Sequence, residues 1–206
     1  MPRAINLDQK RSELVDAAWR VIHGEGLQAA TLRRVAAEAN CTTGALTRYF
    51  GNREALFVEA LRAAHSSARR RMAVAVGRSK TQRKRLESIM LEALPLDEVR
   101  RQEWKTRLAF FGAASDSEAL RTENARYFLE WGAFLSEQLT PTVKQKDRRQ
   151  HEVRLLQAVI DGLALRLLVQ SGPWSEQAAS VRSEIVADVR FHLNALLARH
   201  EIPSAS

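Results

Sequence analysis

The stretch over residues 31–50 constrains the fold most: two short apolar stripes stand only three residues apart. Leu32, Val35, Ala36 and Ala39 fall at i, i+3, i+4 and i+7, which is one face of a short helix with Thr31 at its N-cap position. Asn40-Cys41-Thr42 interrupt the periodicity, and Leu46 and Phe50, at i and i+4, restart it. Thr43, Gly44, Ala45, Thr47 and Arg48 take the outward side of this second short helix, which Gly51 and Asn52 end. A preceding helix over residues 9–23, with Leu14, Ala18, Val21 and Ile22 on one stripe and Gly24 and Gly26 after it, braces the pair.

The remainder reads as more of the same. Nine glycines and five prolines in 206 residues leave long runs rich in Ala, Leu, Arg and Glu, so the chain is expected to be all-α. Helices are predicted over residues 53–75, with Leu56, Phe57, Ala60, Leu61 and Ala64 on one stripe, and over 86–94, 97–114, 117–139, 146–170 and 175–200. Pro95, Pro141 and Pro173 mark three of the gaps, residues 80–85 read as a basic connection, and residues 202–206 read as a frayed end. The expected division is a small head over residues 1–53 and a larger helical part over residues 54–206.

Two short helices across a tight turn form a helix-turn-helix, whose second helix enters the major groove of double-stranded DNA with its N-terminal residues at the base edges. Gly44 permits close backbone approach, Ala45 and the methyls of Thr42, Thr43 and Thr47 suit a thymine methyl, and Arg48 can donate twice to a guanine edge. Tyr49 and Arg53 are placed for phosphates, and the amides opening the second and fourth helices, the former beside Thr31 and Arg33, add to them. The formal net charge of +8 fits an anionic partner, nucleic acid first and an anionic membrane surface second. The excess is uneven: residues 62–85 carry nine Lys and Arg and no acid, a solvated face that steers DNA. The competing reading is a basic helical protein that binds nucleic acid or membrane surface without sequence preference; loss of complex equally to any duplex would mark it.

Other function classes are excluded. The longest stretches without Asp, Glu, Lys or Arg, residues 39–47 and 167–175, are far shorter than the ~20 residues of a membrane span. Residues 1–10 hold no apolar secretory run, and the single cysteine, Cys41, forms no internal disulfide, so a cytoplasmic protein is expected. His151-Glu152 lacks the second histidine of a metalloprotease helix, since Leu155 stands in its place, and Gly24 and Gly26 follow a helix rather than a strand. Five scattered histidines give no metal spacing. No cofactor, metal or catalytic residue is expected, and the chain is not read as an enzyme.

Trp104, Phe110, Phe111, Tyr127, Trp131 and Phe134 put six of thirteen aromatics on adjacent predicted helices. They fill a core or line an apolar effector cavity between helices, where a cation could sit over Trp104 or Trp131 beside Glu130 or Asp161. Asp161 alternatively pairs with a neighbour such as Arg107. Leu155, Val159, Leu163 and Leu167, and in the final helix Ile185, Val189, Leu193 and Leu196, make stripes broader than one face. Such stripes cover either the chain's own core or a second copy in a four-helix homodimer interface, and their breadth favours the second.

Residues 31–56, TLRRVAAEANCTTGALTRYFGNREAL, closely resemble the helix-turn-helix signature of the tetracycline-repressor (TetR) family of bacterial regulators, and the resemblance extends over about residues 10–57. Three positions depart from it: Asn40-Cys41 where the family usually has Gly-Val or Gly-Ile, Thr47 for an aromatic, and Arg53 for lysine. Cys41 fills the valine slot as a small hydrophobe, and Arg53 keeps the charge. Residues 104–111 and 156–166, the latter containing Ile160-Asp161-Gly162-Leu163, resemble the BetI-like branch. The resemblance implies a homodimeric repressor that binds a palindromic operator and is released by a small-molecule effector; that branch includes repressors responding to choline.

Overall fold

A computed structural model describes residues 7–170 and 176–200; Pro173 and residues 202–206 lie outside the described residues. Among the described residues every regular element is a helix: α1 (Leu7–Glu25), α2 (Leu32–Glu38), α3 (Thr43–Phe50), α4 (Arg53–Arg78), α5 (Gln82–Glu92), α6 (Glu98–Ala113), α7 (Glu118–Leu139), α8 (Lys146–Gln170) and α9 (Glu176–His200). They form two compact units that do not follow chain order. The first takes the described residues up to Ser67 together with Gln102–Arg126, and the second takes Ala68–Arg101 with the described residues from Tyr127 onward.

In the first unit α2 packs on both α1 and α3. Leu14, Ala17 and Ala18 of α1, Val35 of α2, Leu46 of α3 and Leu56 and Ala60 of α4 are fully buried, and Phe110 of α6 and Leu120 of α7 belong to the same core. The caps follow the sequence. Thr31 Oγ1 accepts from the Arg34 amide at 3.1 Å and Thr42 Oγ1 from the Ala45 amide at 3.2 Å, each satisfying one orphan donor of its helix.

The three-residue turn depends on Asn40, whose φ of 48° lies in the left-handed region. There the Asn40 and Cys41 amides turn back onto the Ala37 and Ala36 carbonyls, at 3.2 and 2.9 Å, closing α2 while half-buried Cys41 packs against the core. Asparagine tolerates this conformation better than other side chains except glycine, which explains why it stands where the related signature has glycine. Around the turn, Arg20 and Arg34 bond to Glu38 at 2.9 and 3.2 Å, and Arg34 pairs with Glu25 at 2.6 Å. The bonds from Arg20 and then Arg34 hold the Glu38 carboxyl below its ordinary range, but these exposed pairs add little to stability.

In the second unit α5 and α8 both pack on α9. Residues 82–85, expected in a connection, form the first turn of α5, because Thr81 caps it by accepting from the Lys84 amide at 3.2 Å and lysine and arginine are good helix formers. A polar cluster joins α8 to the end of α9: buried Glu152 accepts from Arg199 Nε and Nη2 at 3.1 and 2.9 Å and lies 2.9 Å from His200 Nε2. Burial pushes the Glu152 carboxyl up, yet the bonds from Arg199 and His200 prevail and hold it below the usual carboxylate value of 4.5. Burial, aided by the Arg199 charge, pushes the His192 imidazole below its usual 6.5.

Asn40→Ala is expected to lower the unfolding free energy by about 1 kcal/mol in thermal or urea melts, because alanine bears the left-handed penalty, while Asn40→Gly is expected to be no less stable than the wild type. Both His192 and Glu152 carry depressed folded-state values, so each contributes stability that is present above its unfolded value and lost on acidification. Stability should therefore begin to fall as pH drops through 6.5 and fall further below 4.5. Denaturant titration of Glu152→Gln should show a flatter slope in the lower range; an unchanged slope there would contradict the assignment.

Candidate nucleic-acid interface

The surface of α3 presents Thr43, Gly44, Thr47 and Arg48 as exposed residues, with exposed Thr42 at its cap and Ala45 half-buried. A Cβ added at Gly44 would meet only Thr42 Oγ1, at 3.8 Å, an ordinary contact. The head itself therefore does not require glycine there; a small residue matters only to something approaching from outside. The Thr47 hydroxyl donates to the Thr43 carbonyl at 3.0 Å, which turns its methyl-bearing side chain back along the helix. Arg48 on α3 and Arg33 on α2 are exposed and make no hydrogen bond or ion pair with any described residue.

The first amides of α2 and α3 have no acceptors within their helices. The capping hydroxyls of Thr31 and Thr42 accept from the chain and keep an O–H to donate outward. Half-buried Tyr49 lies beside Phe50, ring centroids 6.4 Å apart.

Arg53 is differently placed from a phosphate ligand. Its Nε donates to the Ala30 carbonyl at 3.0 Å, its Nη2 donates to the Leu27 carbonyl at 2.8 Å, and its guanidinium lies 4.6 Å from the centre of the Phe57 ring. Two of its three nitrogens thus serve the fold, tying the start of α4 to the loop before α2. A cavity of about 240 Å³ opens beside it, lined among others by Leu27, Glu54, Phe57 and Leu120.

No local pattern marks Arg11, whose contacts parallel those of Arg53. On α1, Arg11 donates from Nη1 to the Tyr49 carbonyl at 2.7 Å and lies 4.6 Å from the centre of the Phe50 ring. Local spacing cannot reveal a contact made across 38 positions of chain.

The expected effector residues are divided between the units. In the first, Trp104 and Phe110 are buried and Phe111 half-buried; Phe110 meets Phe57 edge-on at 6.1 Å within the head's core, and the Arg107 guanidinium lies 4.4 Å from the Trp104 ring centre. The cation expected over Trp104 is thus the chain's own. In the second, Tyr127 and Trp131 are buried, Trp131 stacks on half-buried Phe134 at 5.5 Å, Asp161 is half-buried, and Glu130 pairs with Arg69.

The residues expected at a dimer interface also separate. Leu167, Ile185, Val189, Leu193 and Leu196 are buried inside the chain and fill its own core, so their periodicity reports internal packing. Leu155 is exposed and Val159 and Leu163 are half-buried. The large apolar side chains left in solvent on α8 and α9 are Leu155, Leu165, Val169 and Phe191, the last two 75% and 78% exposed.

No group of three or more metal-ligating side chains stands close together among the described residues, and no helix there is long and apolar enough to cross a membrane.

Residues 14–60 match the model described as bacterial regulatory proteins, tetR family, and residues 82–198 match that of the BetI-type transcriptional repressor C-terminal part. The chain is similar to the HTH-type transcriptional regulator PksA of Bacillus subtilis, at 27% identity covering 82% of this chain and 83% of that one. It is also similar to BetI of Burkholderia thailandensis, at 29% identity covering 87% and 92% respectively. In fold it resembles a transcriptional regulator from Rhodococcus sp. Rha1, with a TM-score of 0.79 and 24% identity over 93% of this chain and 98% of that one. These relatives are regulators of transcription, not enzymes.

Because Arg53 supports two part-buried carbonyls, Arg53→Ala is expected to lower the stability of the protein itself by about 1–2 kcal/mol in denaturant melts without DNA. A substitution that weakens DNA binding but leaves the melt unchanged would assign Arg53 to phosphate alone.

Proposed function

Because the chain belongs to the TetR family of transcriptional regulators and carries a BetI-type repressor C-terminal part, we propose that it is a cytoplasmic homodimeric repressor, released from a palindromic operator by a small-molecule effector. Residues 1–53 are the DNA-binding head and residues 54–206 the effector-binding and dimerisation part. The observation that carries the DNA-binding half of this reading is the face of α3: small side chains around Gly44 and, at one edge, an exposed Arg48 with no partner among the described residues. A helix presenting that face can lie close in a major groove, with Arg48 on a guanine edge and the methyls of Thr43, Ala45 and Thr47 against thymine. Thr31, Arg33, Thr42 and Tyr49 hold the phosphates on either side. Arg53 takes part by fixing the loop that presents α2.

One helix of eight residues reads too few base pairs for a useful affinity. Two heads spaced about one turn of DNA, roughly 34–36 Å, read twice as many. Leu155, Leu165, Val169 and Phe191 support the pairing of two copies through α8 and α9, since this much unpaired apolar side chain on adjacent helices favours a covered face. The effector acts by its unequal affinity for the DNA-binding and released arrangements of the dimer, lowering operator affinity by that ratio. The stacked Trp131 and Phe134, with Tyr127 and Asp161, are the effector residues of the second unit, and an apolar ligand with one polar group suits them.

Binding to genome-selected duplexes, followed by fluorescence anisotropy, is expected to show a sequence-selective, salt-dependent complex. Arg48→Ala should weaken it by about 1–3 kcal/mol and relax preference at one base pair. Phe191→Glu should shift the protein from dimer to monomer in light scattering and weaken operator binding with it. Equal competition by any duplex of the same length would overturn the reading, and a dimeric Phe191→Glu protein would overturn the interface.

A further inference from the structure

The contacts of Arg11 do not end at α3. Its Nη2 lies 3.4 Å from Glu59 Oε1 on α4; Glu59 accepts from Arg62 Nη1 at 3.0 Å; and Arg62 Nε reaches Glu123 Oε2 on α7 at 2.9 Å. Glu123 is 2% exposed and is also held by Arg126. All of these residues lie in the first unit. A continuous series of charged hydrogen bonds and ion pairs therefore runs from a main-chain carbonyl near the end of α3, through α1 and α4, to a buried carboxylate on α7.

Each link has a physical task. The Tyr49 carbonyl is one of the last in α3 and has no amide of its own helix to accept from, so a cationic donor there both satisfies it and complements the negative end of the helix. By lying over Phe50 as well, the same guanidinium fixes how α3 is rolled against the head, because that ring is one of the two side chains α3 buries. Roll decides which side chains of α3 meet base edges. At the other end, a carboxylate this buried cannot shed its arginines cheaply, so Glu123 holds Arg62 in one place, Arg62 holds Glu59, and Glu59 restrains Arg11.

We propose that Arg11 is a positioning residue for the DNA-reading helix, and that Glu123, through Arg62 and Glu59, sets it, so that the placement of α7 is felt at α3. This rests on the reading of α3 as the DNA-contacting helix. It predicts a loss of discrimination rather than of attraction, since none of the four residues needs to touch DNA.

The test measures the ratio of dissociation constants for nonspecific and operator duplexes, well below the melting temperature of each variant. Arg11→Met keeps the stem over Phe50 and removes the donors; it is expected to reduce the ratio by about tenfold. Arg11→Lys restores the charge but not the fork, so its ratio should also stay low, while the salt dependence of nonspecific binding stays close to that of the wild type in both variants. Glu123→Gln should lower the ratio by a smaller factor, and the double variant should resemble Arg11→Met alone.

An unchanged ratio in Arg11→Met, or single effects that simply multiply in the double variant, would overturn the proposal. Absence of sequence-selective binding by the wild type would instead overturn the DNA-binding reading, so the two failures are separable. Circular dichroism of each variant confirms a folded head, and Arg11→Lys carries the test if Arg11→Met does not fold.

Discussion

Two side chains, Leu46 and Phe50, are what α3 buries, and the head is organised around holding them. An eight-residue helix is far too short to persist in water by itself, so its existence depends on placing both in a core. Each contributes roughly 1.5–3 kcal/mol when fully buried. That suffices to hold the helix in place but not to fix its orientation, since two anchors one turn apart define a line about which the helix can roll. Orientation comes from polar contacts at its ends: Thr42 at the start, the left-handed Asn40 before it, and Arg11 at the finish. The outward face is thereby left free of structural duties, and Thr43, Gly44 and Arg48 are available to a partner.

How legible this was in the sequence depended on range. The element bounds over α2 and α3, the Thr31 cap and the stop at Gly51 rest on forces acting within four residues, and spacing alone reveals them. Arg53 and Arg11 were opaque because their acceptors lie 23 to 38 positions away, and nothing local tells a phosphate ligand from a carbonyl clamp. The stripes on α8 and α9 are ambiguous for a different reason. Periodicity shows that a face is dry but not what dries it. Ile185, Val189, Leu193 and Leu196 turned out to lie against their own chain, while the exposed Val169 and Phe191 fell outside the pattern.

The positive charge also divides by role once partners are known. Arg62, Arg69 and Arg71 pair with Glu59 and Glu123, with Glu130 and with Glu92, so these cations of the acid-free segment serve packing between helices. The side chains of Arg70, Arg78, Lys80, Arg83, Lys84 and Arg85 have no partner among the described residues. These six contribute an uncompensated field, and over distances beyond about 8–10 Å salt screens it. Net charge thus favours an anionic partner without locating the contact, and the case for DNA stands on α3.

Phe110 and Leu120 alter what kind of module the head is. Both come from helices far along the chain, yet both sit in the core that buries Leu14, Leu56 and Phe57, with Phe110 fully buried. Removing them would leave a cavity under α4, so the three-helix head is not closed by its own residues. Packed cores move between discrete arrangements more readily than they deform continuously, and a helix that donates a side chain to such a core cannot shift without the core responding. The buried Glu123 adds a polar constraint on the same helix that supplies Leu120. For a regulator this is the useful kind of dependence: α6 and α7 do not merely adjoin the unit that carries α3 but complete its interior, so a different placement of those helices acts directly on the stability of the conformation in which α3 is held.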